Sequence, residues 1–332
     1  MNKLNGNIDE YIRSSPNVLK KFFTYINVIK GLSLNSVHTY YYNLRIFCLY
    51  IIKVYYDKTI RIDELDNNEK SKLINQYVNE EFFSKITCDD IQEYLYYIQI
   101  SHNNCKSSRA NRLSTLKSFY KYLNKNNIIQ ENPVTLIESV KKDKRLPKFL
   151  STDECKTLLE YAYVNSDYRN YAILVLFMNT GLRLDELVNV NINQFASNSI
   201  RIFGKGSKDR ELFLNDACMD VVHKFIEQRL QYKKIIDKDA LFVSEQTGKR
   251  LSPRRVEQIV AELINKSGLN GKGYTPHTLR HTAATIMYHN GVDIRVIKDI
   301  LGHESLATTQ IYTHTANSQI KNALDKISLS VD

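Results

Sequence analysis

The sequence predicts a mostly α-helical chain of two domains, with a small β-hairpin or sheet in the C-terminal domain (an α+β class). Three observations predict it. Apolar residues recur at helical spacing through the first half, a basic segment with a proline separates the halves, and one stretch of the second half shows β-type alternation around a glycine-rich turn. A length of 332 residues accommodates two domains, expected at 1–146 and 147–332.

The first domain is predicted to be all helical because its apolar residues lie three or four positions apart. These apolar stripes are Phe22, Phe23, Ile26 and Ile29, then Tyr40, Leu44, Phe47 and Tyr50, then Ile91, Tyr94, Leu95 and Ile98. Turn-forming stretches around Gly31 and Asn67 separate the helices.

A further helix is predicted from Ser107 to Asn124, with apolar and basic residues on separate stripes. The apolar stripe is Leu113, Leu116, Tyr120 and Leu123, and the basic stripe is Lys117, Lys121 and Lys125. Residues 101 to 146 hold 10 basic and three acidic side chains. Such a helix either lies along a DNA backbone, releasing counterions, or presents an ordinary solvated face, and the segment alone favours neither.

The segment ENPVTLIESVKKDKRLPKFLSTDE, residues 131 to 154, marks the predicted domain boundary near residue 146. A basic run leads to Pro147, and a helix is expected to restart at Ser151, with Glu154 three residues later completing a capping box. Polar linkers are common, and a positively charged one is also suited to wrapping around a duplex.

The second domain is predicted to contain several helices and one hairpin. The run YAILVLFMNTG, Tyr171 to Gly181, predicts a core helix that ends at Asn-Thr-Gly, and a new helix follows through LRLDELVNV. Residues 198 to 214 predict a hairpin around a Gly-Lys-Gly-Ser turn. Further helices are expected from Pro253 to Asn265 and from Thr275 to Asn290.

Composition narrows the class of protein. The net charge of +10 indicates a polyanionic partner, although a protein with a solvated basic surface and no such partner has the same kind of net charge. The five cysteines lack zinc-ligand spacing and argue against a disulfide framework. The start of the chain does not resemble a signal peptide, and no run of about 18 apolar residues is present, so we expect a cytoplasmic protein.

Several positively charged or hydrogen-bonding side chains follow helix starts and turns in the second domain. Thr275 and Pro276 are expected to begin a helix that carries His277 and Arg280 on one face near its N-terminus, where an anion is favoured. Arg183 follows the Gly181-Leu182 turn, and Glu186 is placed to orient it. An ordinary exposed arginine–glutamate pair remains the alternative.

Two more segments carry candidate residues. Lys205 and Lys208 lie at the hairpin tip in GKGSKDR, which lacks the spacing of a nucleotide-binding P-loop, and a hairpin lysine is commonly only solvated. In LGHESLATTQIYTH, His303 follows Gly302, and Ser305 is expected to cap a short helix with Tyr312 on its second turn.

The order of these segments resembles the tyrosine recombinase (phage integrase) family, and most closely its bacterial XerC/XerD branch. The matching segments are TGLRLDEL, GKGSKDR, PHTLRHTAAT, LGHES and YTH. They supply all six positions of the family's active-site signature, namely Arg183, Lys205, His277, Arg280, His303 and Tyr312. The resemblance covers residues 147 to 332 closely and residues 15 to 140 through the weaker pattern of a helical domain that ends in ENP.

The resemblance implies a helical, SAM-like core-binding domain and a catalytic domain that together form a C-shaped clamp around DNA. It implies that Tyr312 is the nucleophile, forming a 3′-phosphotyrosyl link, and that strands are exchanged through a Holliday junction. Arg183, Arg280 and His303 would bind the phosphate, Lys205 would protonate the leaving oxygen, and His277 would accept or orient the tyrosine proton. No cofactor and no metal are expected.

The implied partners are double-stranded DNA with a specific recombination site and a homotetramer, or a heterotetramer with a related recombinase, on synapsed DNA. A DNA translocase such as FtsK and association with the nucleoid are further implications. The residues expected to contact DNA are Lys106, Arg109, Arg112, Lys117, Lys121, Lys144 and Arg145.

Two alternatives to recombination fit the sequence less well. A helical DNA-binding regulator without chemistry would be expected to lack at least one catalytic position, and a type IB topoisomerase would need larger clamp-forming regions. Within recombination, the sequence leaves open dimer resolution of chromosomes or plasmids, integration or excision of a mobile element, and inversion of a phase-variable segment.

Overall fold

The computed structural model describes residues 10, 12–101, 104–139, 148–203, 209–303 and 305–309. Backbone contacts divide the chain into two compact units, Met1–Lys144 and Arg145–Asp332. The described residues are mostly helical, with one small antiparallel sheet in the second unit, which confirms the predicted fold class.

The first unit is helical throughout its described residues. Its helices are α1 (Asn17–Thr24), α2 (Leu34–Tyr55), α3 (Asn67–Tyr77), α4 (Glu80–Ser84), α5 (Cys88–Ser101) and α6 (Lys106–Lys125). Aromatic rings fill its core, and Phe119 packs edge-on against Phe22 and Phe83 with ring centroids 5.0 and 4.8 Å apart. The apolar stripe predicted for α6 is buried, from Leu113 to Leu123.

One apolar position of the first unit was predicted wrongly. The chain after α1 forms a π-helical turn, Tyr25–Ile29, rather than continuing as an α-helix. A π-turn changes the angular period, so the side chain that an α-helix would turn inward points outward. Ile29 is therefore 71% exposed, whereas Ile26 is buried.

The second unit is built around α8. Its helices are α7 (Thr152–Asn165), α8 (Tyr168–Thr180), α9 (Leu184–Val188), α10 (Asp216–Leu230), α11 (Pro253–Lys266), α12 (Pro276–His289), α13 (Ile294–Leu301) and α14 (Leu306–Thr309). Helix α8 is buried along its length and contacts α7, α10 and α12. The predicted capping box at Ser151 and Glu154 begins α7.

The sheet has three antiparallel strands in the order β1 (Phe195–Ala196), β2 (Ser199–Phe203) and β3 (Asp209–Phe213). Strands β2 and β3 are the predicted hairpin, and the two-residue β1 adds an edge that the sequence did not predict. In the register, Ile202 lies opposite Arg210 and Ile200 opposite Leu212, so Arg210 shares the inward face of β3 with Leu212.

Glycines in left-handed conformation end two of the helices near one another. Gly181 ends α8 with φ of 62°, and Gly302 ends α13 with φ of 62°. A β-carbon on Gly181 would lie 2.6 Å from a methyl group of Leu301, so these two helix ends are packed closely together.

In the part of the chain that the structure describes, helices that combine the length and the hydropathy needed to cross a bilayer are absent. Within those same residues, no three histidine, cysteine, aspartate or glutamate side chains are grouped as metal ligands.

Candidate active site

Arg183 is held at the junction of α8 and α9. After Gly181 turns the chain, Arg183 occupies the residue before α9, and its backbone N–H donates to Glu186 Oε2 at 2.8 Å. Its guanidinium Nη1 also donates to Glu186 Oε1 at 2.9 Å. The Arg183 side chain is 44% exposed and that of Glu186 7%, so a buried carboxylate orients a guanidinium that still reaches the surface.

Glu186 binds a second arginine, Arg210 from strand β3. Arg210 Nη1 donates to Oε1 at 2.9 Å and Nη2 to Oε2 at 2.8 Å, a bidentate pair with both side chains largely buried. Burial acts to raise the pKa of Glu186, but the hydrogen bonds from Arg210 and from the Arg183 backbone outweigh it and lower that pKa to about 2. Glu186 is therefore ionised at neutral pH.

Arg280 lies on the first turns of α12, whose start matches the sequence prediction. Thr275 precedes the helix and accepts a hydrogen bond from the Thr278 backbone, and Pro276 is its first residue. The Arg280 side chain is 4% exposed and donates to Gly181 O at 2.6 Å. Its Nη1 also lies 3.9 Å from Glu186 Oε2. His277, on the same helix, is exposed.

Three arginines converge on the C-terminal end of α13. Arg210 Nε donates to Ile300 O at 2.9 Å, Arg280 Nη2 to Leu301 O at 2.7 Å, and Arg183 Nη2 to Gly302 O at 2.7 Å. The last carbonyls of a helix lack intrahelical partners and carry partial negative charge, so cations are favoured there. The helix end thus fixes three guanidinium groups at once.

His303 follows directly and is half-buried. Its ring Nδ1 lies 3.0 Å from the hydroxyl of Thr309, a buried residue of α14, the short helix predicted to follow Ser305. Burial, followed by the nearby charges of Arg280 and Arg183, lowers the pKa of His303 to about 4. A neutral ring has one N–H donor and one acceptor nitrogen, and the tautomer decides which of them faces the Thr309 hydroxyl.

The other histidines of the site are also biased toward the neutral form. His277 and His281 lie one helical turn apart with ring centroids 4.4 Å from each other. Burial and the charge of His277 lower the pKa of His281 to about 4, and partial desolvation, Arg280 and Arg183 lower the pKa of His277. A neutral His277 has a ring nitrogen able to accept a proton.

The structure brings Arg183, Arg280 and His303 together and places His277 on the same helix as Arg280. Lys205 and Tyr312 lie outside the described residues, as do Lys144 and Arg145. The other predicted DNA contacts are all on α6, at Lys106, Arg109, Arg112, Lys117 and Lys121. Of these, Arg109 donates to Asn104 O at 3.4 Å and Arg112 to the Tyr94 hydroxyl at 3.2 Å.

Arg210 is the site residue that the sequence reasoning missed. It belongs to the GKGSKDR segment, in which the sequence pattern singles out only the lysines of the turn. The signal that identifies it is the alternation of β3: Leu212 and Leu214 face the core, so Arg210, two residues earlier, faces the same way.

The comparisons with known proteins agree with this geometry. The phage integrase family matches residues 148–319. The tyrosine recombinase XerC of Caldanaerobacter subterraneus subsp. tengcongensis is 36% identical over 95% of this chain and 88% of its own length. The tyrosine recombinase XerD of Oceanobacillus iheyensis is 32% identical over 92% of this chain and 95% of its own.

Solved structures share the fold. A XerA recombinase covers 98% of this chain and 100% of its own at 29% identity, with a TM-score of 0.50. A XerH site-specific recombinase, bound to its palindromic difH substrate in a post-cleavage complex, covers 86% and 96% at 22% identity with a TM-score of 0.63. From the matched family and these relatives, the chain belongs to the phage integrase family and is a Xer-type tyrosine recombinase.

Proposed function

We propose that this chain exchanges DNA strands at a specific site, with Tyr312 as nucleophile and Arg183, Lys205, His277, Arg280 and His303 as its catalytic partners. The observation that carries the roles of Arg183, Arg280 and His303 is the cluster of guanidinium groups at the end of α13, and the roles of Lys205, His277 and Tyr312 rest on the sequence signature. Arg183 and Arg280 are held by Glu186, Gly181 O and the last carbonyls of α13, with His303 next in the chain. Such fixed donors are suited to a phosphate.

The proposed reaction is a transesterification. The Tyr312 oxygen attacks the phosphorus, the bond from phosphorus to the 5′ oxygen breaks, and a 3′-phosphotyrosyl ester forms. The tyrosine proton passes to His277, and Lys205 gives a proton to the leaving 5′ oxygen. The 5′ hydroxyl of the partner duplex then attacks the ester and releases Tyr312. The ester conserves the bond energy, so the scheme needs no nucleotide hydrolysis.

In this scheme the reaction is accelerated by positively charged side chains held in fixed positions around the phosphate. The transition state places negative charge on the two non-bridging oxygens, which planar guanidinium groups bind with paired hydrogen bonds. In the tautomer whose hydrogen is on Nε2, neutral His303 adds an N–H donor without adding charge. A phenol has an ordinary pKa of about 10, and the surrounding cations favour its phenolate form.

We infer that the first unit is a core-binding domain that contacts the duplex. The basic stripe of α6 supports this, because Lys121 is exposed and Lys117 half-buried beside the buried apolar stripe. Lysines that neutralise phosphates release counterions, which stabilises the complex. Lys144 and Arg145 extend the same proposed contact into the linker.

The biological reaction proposed is Xer-like resolution of chromosome or plasmid dimers by a tetramer on two synapsed sites, in the cytoplasm and at the nucleoid. The similarity to XerC and XerD over nearly the whole chain supports this choice over integration, excision or inversion. A homotetramer, or a heterotetramer with a related recombinase, and control by a translocase such as FtsK follow from the same proposal.

The test is covalent trapping on a nicked suicide duplex, in which cleavage releases a short fragment and religation is blocked. Wild-type protein is expected to give a denaturation-stable adduct, and tandem mass spectrometry to place the nucleotide on Tyr312. Tyr312→Phe is expected to bind the same DNA without forming an adduct. Arg183→Ala is expected to slow adduct formation about 100- to 1,000-fold with a modest loss of affinity. An adduct from Tyr312→Phe, or normal cleavage by Arg183→Ala, would refute the respective assignment.

A further inference from the structure

Arg210 connects three parts of the second unit: the β2–β3 hairpin, helix α9 and the end of helix α13. Each of them carries or adjoins a proposed catalytic residue, or carries the carboxylate that orients one. Arg210 lies on β3, in the hairpin whose turn contains Lys205. It binds Glu186 on α9, the same carboxylate that orients Arg183, and it binds Ile300 O at the end of α13, three residues before His303. Its side chain is 13% exposed.

The hydrogen bonds around Glu186 use all of its acceptor capacity. Oε1 accepts from Arg183 Nη1 and Arg210 Nη1, and Oε2 accepts from the Arg183 backbone and Arg210 Nη2. A carboxylate has about four lone-pair sites. Without Arg210, two of these sites would be empty in a buried position, and the carboxylate would be free to turn toward Arg183 or Arg280.

The close approach of Gly302 provides a second observation. A β-carbon on Gly302 would lie 2.8 Å from Arg210 Nη1 and 3.4 Å from Arg183 Nη1. The backbone before His303 is therefore in direct contact with the Arg210 guanidinium. Arg210 fixes Glu186 on one side and this backbone on the other.

We infer that Arg210 is a positioning residue for strand cleavage, which sets Arg183, through Glu186, in register with the segment that carries His303. This inference rests on the proposed roles of Arg183 and His303. It assigns Arg210 no contact with DNA: the planar fork of the guanidinium, rather than its charge alone, performs the task, because two parallel bonds to Glu186 and a third to Ile300 O need three separate N–H directions.

The experiment compares Arg210→Lys and Arg210→Gln with wild type in single-turnover trapping on the nicked duplex. The matched control is Arg201→Gln on the neighbouring strand β2, an exposed arginine that pairs with Asp209. The rate constant of adduct formation is separated from its amplitude, because a partly unfolded sample lowers the amplitude alone. DNA affinity and the unfolding midpoint are measured on the same samples.

Both Arg210 variants are expected to form the adduct about 100-fold more slowly, since a displacement near 1 Å has effects of this size, while binding DNA nearly as tightly as wild type. Arg210→Lys carries the inference if Arg210→Gln fails to fold. A wild-type rate constant for Arg210→Lys would show that charge alone suffices and would overturn it.

A double-mutant cycle with Glu186→Gln tests whether Arg210 acts through that carboxylate. The two substitutions together are expected to slow cleavage little more than Glu186→Gln alone. Independent, multiplying effects would overturn the inference.

A duplex with sulfur at the 5′ bridging position tests whether Arg210 acts through the hairpin that carries Lys205 or through Glu186 and the segment before His303. Sulfur leaves without a general acid, so this duplex is expected to rescue Lys205→Ala but neither Arg210 variant. Rescue of the Arg210 variants would assign the residue to the Lys205 hairpin instead and overturn the inference. If wild type formed no adduct at all, the proposed function would fail together with it, whereas a normal wild type with unaffected Arg210 variants would refute this inference alone.

Discussion

Gly302 lies where a β-carbon would meet two guanidinium groups. We predict that Gly302→Ala lowers the free energy of unfolding by about 1–2 kcal/mol, because its φ of 62° is left-handed. It should also slow adduct formation, because the added methyl group would displace Arg210, 2.8 Å away, and press on Arg183. Chemical denaturation measures the first effect and single-turnover trapping the second.

Gly291 provides the matched control for Gly302. It also has a left-handed φ, 84°, but nothing lies within 4 Å of the position of its β-carbon. Gly291→Ala should therefore lose similar stability and retain the wild-type rate of cleavage. Equal rates for the two alanine variants would show that the close approach at Gly302 has no catalytic consequence.

The histidines of the site predict how stability depends on pH. His281 and His303 have pKa values near 4 in the folded protein, against an ordinary value of 6.5, because burial and neighbouring cations disfavour their charged forms. In the unfolded chain they bind protons below about pH 6.5, so acid favours unfolding. We predict that the free energy of unfolding falls as the pH decreases from about 6.5 to 4.

Urea denaturation across that range measures the effect. Glu186 does not contribute to the pH dependence in this range. The stabilisation from its lowered pKa is lost only as the pH falls below the ordinary pKa of 4.5 toward 2. His281→Gln should flatten the dependence between pH 6.5 and 4, because one of the histidines with a lowered pKa is gone. A slope unchanged by this substitution would contradict the prediction.

Residue positions were predictable where local chemistry fixes them. Thr275 and Pro276 specify a helix start, and Arg280 follows from them by its spacing. The contacts of Arg280 with Gly181 O and Leu301 O join residues 99 and 21 positions apart, which no local pattern encodes. Arg210 shows the same limit, because strand alternation gives its direction but not its partner Glu186.

At the scale of elements, predictions succeeded for long periodic segments and for short helices with a start signal, and they failed for two short elements without one. The largely buried helix α8 and the β2–β3 hairpin were predicted from pattern alone. The two-residue strand β1 has too few residues to show alternation, and the π-turn at Tyr25–Ile29 breaks a pattern that appears helical in sequence.

The basic stripe of α6 makes a prediction about salt. If Lys117 and Lys121 each neutralise one phosphate, replacing both with glutamine should reduce the slope of log affinity against log salt by about 1.8. Fluorescence anisotropy of labelled duplex between low and moderate salt measures this slope.

Helix α3 offers matched controls in Lys70 and Lys72, which have the same exposures as the α6 pair, one half-buried and one exposed. They lie in an acidic stretch of the chain, so their replacement should leave the slope nearly unchanged. An unchanged slope for the α6 variant would show that the basic stripe is an ordinary solvated surface and does not contact DNA.

At the scale of the molecule, each unit has its own apolar core, one around Phe22, Phe47 and Phe119 and the other around α8. The contact division falls between Lys144 and Arg145, and the sequence placed the boundary near residue 146. A proline and a run of charged residues disfavour core packing, and this is the reason why the sequence predicts a boundary there.

The last prediction concerns the assembly on DNA. Each recombination site needs a cut in both strands, and two copies of one chain related by a two-fold axis cut them equivalently if the site has two inverted half-sites. We therefore predict that duplexes trapped from fragmented genomic DNA share two inverted half-sites, and that mass photometry finds four chains on a pair of such sites. Tyr312→Phe is the control for trapping. Capture of one chromosomal locus would support dimer resolution, whereas capture of the ends of a mobile element would indicate integration. Half-sites without inverted symmetry would contradict a homotetramer and would favour pairing with a related recombinase.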